Sequence, residues 1–440
     1  MKKIRCGFAQ VDITPLPNES FQDGYGSRLL PPDAVRSKIY AKVCAITENL
    51  EGGKTHIIGA FDICGFNSKV SDILRDSVKY YCGIDRRDIT ICATHTHTGP
   101  ACGVLDSMPL NLIYWYRTAE AFAKAAKEAL DNRAEGNFEF RISDIELKTI
   151  YNRVGRPYTD RLVRIGAFYD NNKALKGIIA TGSCHPTVLG DQLISADYPG
   201  VMTTNLRVEY PGVPVLYLQG RGADTNPNYR DKLPADYLVN KLGTELSDSI
   251  SDAVDKIDCD LFTDKEYNIK SAYKEAIIPR KPYYDEAAIE NMIADSYKKY
   301  FDASEPVTKR CIFVEIEWLK LMRSRIKAEI APEIECPIQA LSLNDDIIFT
   351  FVPFELLCMT GNTIENYLAQ KGYKKESTFV IGYANQVLSY LAPKNVFDDG
   401  GYDIGGTAGA ASHWYMLPDC SKETEPAVLK ELFGLVDSLK

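Results

Sequence analysis

Short apolar runs rich in Val, Ile, Thr and aromatic residues alternate with amphipathic stretches along this 440-residue chain. That alternation restricts the fold more than any single residue does. Segments 39–47, 55–64, 89–96, 161–168, 174–183 and 213–219 read as strands, whereas 68–80, 118–132, 199–208 and 235–254 carry apolar residues at helical spacing. The pattern resumes with strands at 337–343, 346–352 and 377–382 and helices at 360–370 and 425–439. The expected fold is α/β, a mixed sheet core flanked by helices. Between 259 and 335 the character changes, and charged amphipathic segments at 285–301 and 307–328 predict a helical insertion within one domain spanning 1–440.

Composition limits the partners. A hydrophobic share of 45% can fill a sizeable core, and the net charge is −9. No block of Lys or Arg stands out, which argues against a nucleic-acid surface or an anionic-membrane anchor. The start, Met1 to Phe8, lacks an apolar run of signal-peptide length, and no later stretch has the length and apolarity of a membrane span. A cytoplasmic location is the expectation. None of the twelve cysteines forms a C-x-x-C pair, and Cys44, Cys92 and Cys358 lie inside apolar runs, so they read as reduced core residues.

Three of the five histidines fall in two short motifs, Ala93-Thr94-His95-Thr96-His97-Thr98-Gly99-Pro100 and Ser183-Cys184-His185-Pro186-Thr187. In an extended strand, side chains at i and i+2 share a face, so His95 and His97 can share one ion while His185 approaches from elsewhere. Such a pair can also line a polar sheet face without any metal. The context favours the metal. The apolar run 88–94 reads as a buried strand broken by Gly99-Pro100, which puts both histidines at a strand's carboxyl end, where open α/β sheets hold ligands. Imidazole donors suit zinc, and three protein ligands leave room for a reactive water.

The order of these motifs resembles the neutral/alkaline non-lysosomal ceramidase family. H-T-H-T-G-P is followed by C-H-P-T, by Gln219-Gly220 to Asn228, and by Val352-Pro353-Phe354-Glu355. The resemblance begins at Val11-Asp12-Ile13-Thr14-Pro15 and Gly24-Tyr25-Gly26. It continues through Asn152-Arg153 and Ser195-Ala196-Asp197-Tyr198-Pro199-Gly200. It implies a catalytic zinc, one per chain, held by His95, His97, His185, Glu355 and Tyr390. It also implies that Tyr402 faces the reacting carbonyl and that Arg153 lies near the substrate. By the same resemblance, this chain corresponds to the family's catalytic domain, without its export signal and C-terminal β-sandwich domain.

Each carried-over residue has an ordinary alternative. Glu355 could be a carboxylate at a helix N-terminus, and Tyr390 one core tyrosine among 26. Tyr402 stands between Gly400-Gly401 and Gly405-Gly406, the composition of a loop covering a site. Asp62 and Asp197 are candidates for orienting zinc-bound histidines, with a helix cap the alternative for Asp197. One departure bears on the chemistry. Where the family carries serine in a Gly-Asp-x-Ser-Pro-Asn segment, this chain reads Ala223-Asp224-Thr225-Asn226-Pro227-Asn228. A covalent hydroxyl nucleophile is therefore not supported, and Asn226 becomes a candidate for binding substrate or an oxyanion, with Asp224 beside it.

The expectation is a zinc-dependent hydrolase that cleaves an amide bond of a small N-acylated substrate by metal-activated water. Two alternatives stay open: hydrolysis of an ester or glycosidic bond, and a metal-stabilised binding protein without catalysis.

Overall fold

The computed structural model describes residues 3–48, 52–105, 108–262, 265–404 and 411–440. Its first half runs β1 (Ile4–Asp12), β2 (Tyr40–Glu48), β3 (Thr55–Phe61), α1 (Ser68–Cys82), β4 (Ile89–Ala93), α2 (Leu112–Asp131) and β5 (Ala134–Ile142). There follow β6 (Arg164–Asp170), β7 (Leu175–Gly182), α3 (Asp197–Glu209), β8 (Val215–Gln219) and α4 (Ala235–Asp255). The eight strands form one mixed sheet in the order β8-β7-β6-β5-β1-β2-β3-β4. The pairs β8/β7 and β3/β4 are parallel, and the others are antiparallel.

The second half runs β9 (Lys270–Pro279), α5 (Glu286–Asp302), α6 (Pro306–Lys327), β10 (Glu333–Asn344), β11 (Ile347–Phe351), α7 (Cys358–Gln370), β12 (Thr378–Ile381) and α8 (Thr424–Ser438). Strands β9 to β12 make a four-stranded sheet in sequence order, with β11 and β12 parallel.

The strand sequences explain how these parts stack. In β2 the side chains alternate: Ala41, Val43 and Ala45 pack toward α1 and α2, while Cys44 and Ile46 point to the opposite face. Both faces are buried, which is why such strands read as nearly continuous apolar runs. At the β8 end, the outer face packs on α3 and α4 through Met202, Leu206, Leu242 and Leu246. The inner face lies on the smaller sheet, where Phe8, Phe138, Phe140 and Phe168 share a cluster with Leu341, Phe349 and Phe379. Helices α7 and α8 cover the outer face of the smaller sheet. The result is four layers: helices, large sheet, small sheet, helices.

The mixed α/β architecture matches the sequence expectation, with three strands added. β1 and β5, read as neither strand nor helix, join the two halves of the large sheet. β9 lies inside the 259–335 stretch expected to be helical, and pairs with β10 from Lys270↔Ser342 to Pro279↔Glu333. The two expected helices are α5 and α6, packed on each other around Ile289, Ile293, Trp318, Leu319 and Met322. Helix α2 also starts six residues before the expected 118, because Asn111 accepts hydrogen bonds from the backbone of Ile113 and Tyr114. No helix among the described residues is long and apolar enough to cross a membrane.

Candidate metal centre

The loops that follow the carboxyl ends of the parallel strand pairs bring the candidate residues together. His95 and His97 follow β4, His185 follows β7, Asn226 follows β8, Glu355 follows β11 and Tyr390 follows β12. The first four come from the large sheet and the last two from the small one. A short parallel ladder, Glu355↔Tyr390 and Leu356↔Leu391, fixes the last two beside each other.

The histidines do not converge by strand alternation. β4 stops at Ala93, and His95 has a left-handed backbone, φ 69°. The backbone N–H of Thr94 and His95 donate to the carbonyls of Phe61 and Ile63, which turns the chain out of the sheet. Left-handed residues recur nearby at Asp197, Tyr383 and Asn385, a concentration of strained backbone typical of functional sites. The two threonines pin the motif. Thr96 Oγ1 lies 3.2 Å and Thr98 Oγ1 2.9 Å from the carbonyl of Ser195, tying H-T-H-T to the Ser195–Gly200 motif. Gly24, at φ 97°, lies so close to the His97 ring that an added Cβ would come within 2.4 Å of it, and Tyr25 meets the same ring edge-on.

The ring nitrogens carry the central observation. His95 Nδ1 is 2.6 Å from the carbonyl of Cys64, and His185 Nδ1 is 2.9 Å from that of Gly222. A carbonyl only accepts, so each Nδ1 bears the proton and, in the neutral ring, each Nε2 carries a lone pair. Those Nε2 atoms point at one carboxylate oxygen, Glu355 Oε2, at 3.3 Å for His95 and 3.1 Å for His185. His97 Nε2 lies 3.1 Å from His95 Nε2. Burial depresses the imidazolium of His185 to about 4, so that ring is neutral at pH 7. Burial, with His95 and His185 alongside, also holds His97 well below the usual histidine range. Lone pairs facing one another at such distances repel unless a cation lies among them. The donor set thus fits a metal ion, with His95, His185 and Glu355 ligand atoms all within 4.8 Å of one another. The Cys64 thiol forms a second such group with His95 and His97.

The aromatic and polar residues form one wall. Tyr390 stacks over His185 with centroids 6.5 Å apart, and Tyr402 stands edge-on to Tyr390 at 5.6 Å. The Arg153 guanidinium lies 5.3 Å from the Tyr390 ring centre and 5.8 Å from that of Tyr402. Tyr402 is 52% exposed as a whole residue, while burial around its hydroxyl and the nearby Glu355 charge push the phenol up to about 12. Asn226 sits in the ladder Thr225–Pro227 with Ile150–Asn152, and its Oδ1 is buried without a donor among the described residues. Gly405 and Gly406, expected to flank Tyr402 in a covering loop, lie outside the described residues.

The three aspartates sit apart from the imidazoles. Asp62 accepts from Lys42 Nζ, 3.2 Å from either oxygen, and from the backbone of Tyr40, so it neutralises a buried lysine rather than orienting a histidine. Asp197 is the first residue of α3, whose N-cap is Ala196 without a side-chain cap hydrogen bond, and its carboxylate accepts from the N–H of Leu189 and Tyr198, which ties the preceding loop to the helix start. Burial raises it to about 7. Asp224 takes hydrogen bonds from Asn152 Nδ2 and the Cys358 N–H, and so fastens the Asn226 segment to the start of α7.

Two contacts had almost no signal in the sequence. Tyr415 donates from its hydroxyl to Glu355 Oε1, the oxygen turned away from the histidines, and Asp403 pairs with Arg153. Asp403 directly follows Tyr402, so adjacency to a named candidate was its only clue; Tyr415 was one more tyrosine near the C-terminal helix.

Two solved structures share this fold. One is the neutral ceramidase from Pseudomonas aeruginosa, with a TM-score of 0.75, and the other is a ceramidase complexed with C2, with a TM-score of 0.76. Each is 16% identical in sequence, and each match covers 100% of this chain and 75% of the other. No family model and no curated protein matches the chain.

Proposed function

We propose, from the premise that this chain has the neutral ceramidase fold, that it is a zinc-dependent hydrolase of an amide bond in a small N-acylated compound. The observation that carries this reading is the convergence of two Nε2 lone pairs on the Glu355 carboxylate, with each Nδ1 fixed on a backbone carbonyl. His95, His97, His185, Glu355 and Tyr390 would hold the ion. When bound, zinc lowers the pKa of water and polarises a carbonyl oxygen.

The chain's own residues then account for binding and proton placement. Tyr402 keeps its hydroxyl proton at neutral pH and reaches solvent, so it can donate to the oxygen of a substrate carbonyl as negative charge develops there. Arg153, between two tyrosine rings and charge-paired with Asp403, gives Tyr402 a fixed cationic neighbour. Tyr415 holds the outer oxygen of Glu355 and so sets the rotation of its carboxylate. Asn226 supplies an amide where the family carries serine, which supports direct hydrolysis without a covalent intermediate.

The test is metal content by elemental analysis, for wild type and His185→Ala, together with assays on N-acyl amides, esters and glycosides. One zinc per chain and amide hydrolysis, both lost in the variant, are the expected outcome. A wild-type protein without stoichiometric metal after zinc reconstitution would overturn the reading. Turnover of esters or glycosides alone would reassign the bond.

A further inference from the structure

The helical insertion is connected to Glu355 by two routes. Helices α5 and α6 close on each other through Ile289, Ile293, Leu319 and Met322. Such an interface needs only apolar side chains, yet α6 also carries Trp318, 2% exposed, whose buried indole N–H requires an acceptor and so has a direction. The acceptor lies outside the helix pair. Trp318 Nε1 donates to the Leu417 carbonyl at 2.8 Å, and the ring stacks on His413 with centroids 3.9 Å apart. Between these two anchors stands Tyr415, whose hydroxyl donates to Glu355 Oε1. Met416, left-handed at φ 51°, packs against the same helices. The second route starts where the chain enters the insertion. Arg280 Nη1 donates to Ser389 Oγ at 3.1 Å, and the Ser389 carbonyl accepts the Glu355 N–H at 2.9 Å.

We infer that the α5–α6 insertion braces the metal centre, and that Trp318 is a positioning residue which fixes the Glu355 carboxylate through the segment His413–Leu417 and Tyr415. The inference rests on the reading of Glu355 as a metal ligand, and goes beyond it by giving the insertion a part in metal binding. Glu355 Oε2 has to sit where the His95 and His185 Nε2 atoms converge. The hydrogen bond on Oε1 sets that rotation, so a displaced Tyr415 turns Oε2 away. The segment belongs to none of the strands, and side chains fix its course. Trp414 holds it from another direction, against Ala101, Leu105 and Met108, so loss of the Trp318 contact reorients the segment without releasing it.

The experiment uses the full chain reconstituted with zinc or cobalt, as wild type, Trp318→Phe, Tyr415→Phe, the double variant and Ile293→Ala. Trp318→Phe keeps an aromatic ring and removes the Nε1 donor. Chelator competition should show its metal retention weakened by roughly 10-fold, with the cobalt absorption bands shifted as the carboxylate turns. The double variant should be no weaker than Tyr415→Phe alone, because both changes act through one hydroxyl. His413→Leu, which removes the other ring of the stack and leaves α6 intact, should repeat the result of Trp318→Phe. Ile293→Ala opens the α5–α6 packing but leaves the indole in place, so it should lower Tm while metal retention and the cobalt spectrum stay at wild-type values. Unchanged retention in Trp318→Phe and His413→Leu, losses that multiply in the double variant, or an equal loss of metal in Ile293→Ala would each overturn the inference. A wild-type chain that retains no metal would instead remove the reading of Glu355 as a ligand, and the inference with it.

Discussion

At the residue scale, the centre depends on which nitrogen of each imidazole holds its proton. The carbonyls of Cys64 and Gly222 make that choice. No sequence motif reveals a backbone carbonyl's direction, so the histidines were legible and the reason for their convergence was not. The left-handed His95 is a similar case, because the turn is set by Ile63, a residue 32 positions upstream. The role of Asp62 is hidden for a related reason: its partner Lys42 lies in an apolar run of a different strand, and only the β2/β3 pairing puts them together. Tyr415 offers the sharpest test of local support. Removing its hydroxyl in Tyr415→Phe leaves Glu355 Oε1 without that donor, and outer partners of this kind typically contribute 10- to 100-fold to metal affinity. Competition with a chelator should show metal retention weakened by about that factor. Unchanged retention would mean that the hydroxyl does not orient the carboxylate.

At the element scale, strongly patterned segments were legible and weakly patterned ones were not. β2, β3, β4 and β8 announce themselves because both faces are buried and few polar residues interrupt them. β5 mixes Glu139 and Arg141 with Phe138 and Phe140, and β9 carries Lys270, Lys274 and Glu275, so neither gives an unbroken apolar run. β9 belongs to a sheet edge with solvent on one face, where alternation is the only cue and neighbouring charged helices obscure it. The β2 and β3 pair also encloses the Lys42–Asp62 ion pair, both side chains almost fully buried. Lys42→Met removes the cation and strands the carboxylate, a change expected to destabilise the fold by about 3–5 kcal/mol. Equilibrium denaturation would measure it, and a loss below about 1 kcal/mol would show that Asp62 finds another partner or protonates at little cost.

At the scale of the whole molecule, His95, His97 and His185 belong to loops of the large sheet, whereas Glu355 and Tyr390 belong to those of the small one. The phenylalanine-rich seam between the sheets therefore positions the candidate ligands as much as the loops do. This split makes function a reporter of complete folding. Either sheet could form its backbone ladders alone without creating the centre, since each would hold only part of the donor set. After dilution from denaturant, far-ultraviolet circular dichroism should recover before both metal capture and catalysis, and those two should return together with the docking of the sheets. Return of activity with the earliest secondary structure would contradict this. On the proposed function, a chain whose sheets fail to dock along the seam would hold only part of the donor set, a form of quality control that the architecture supplies without any dedicated residue.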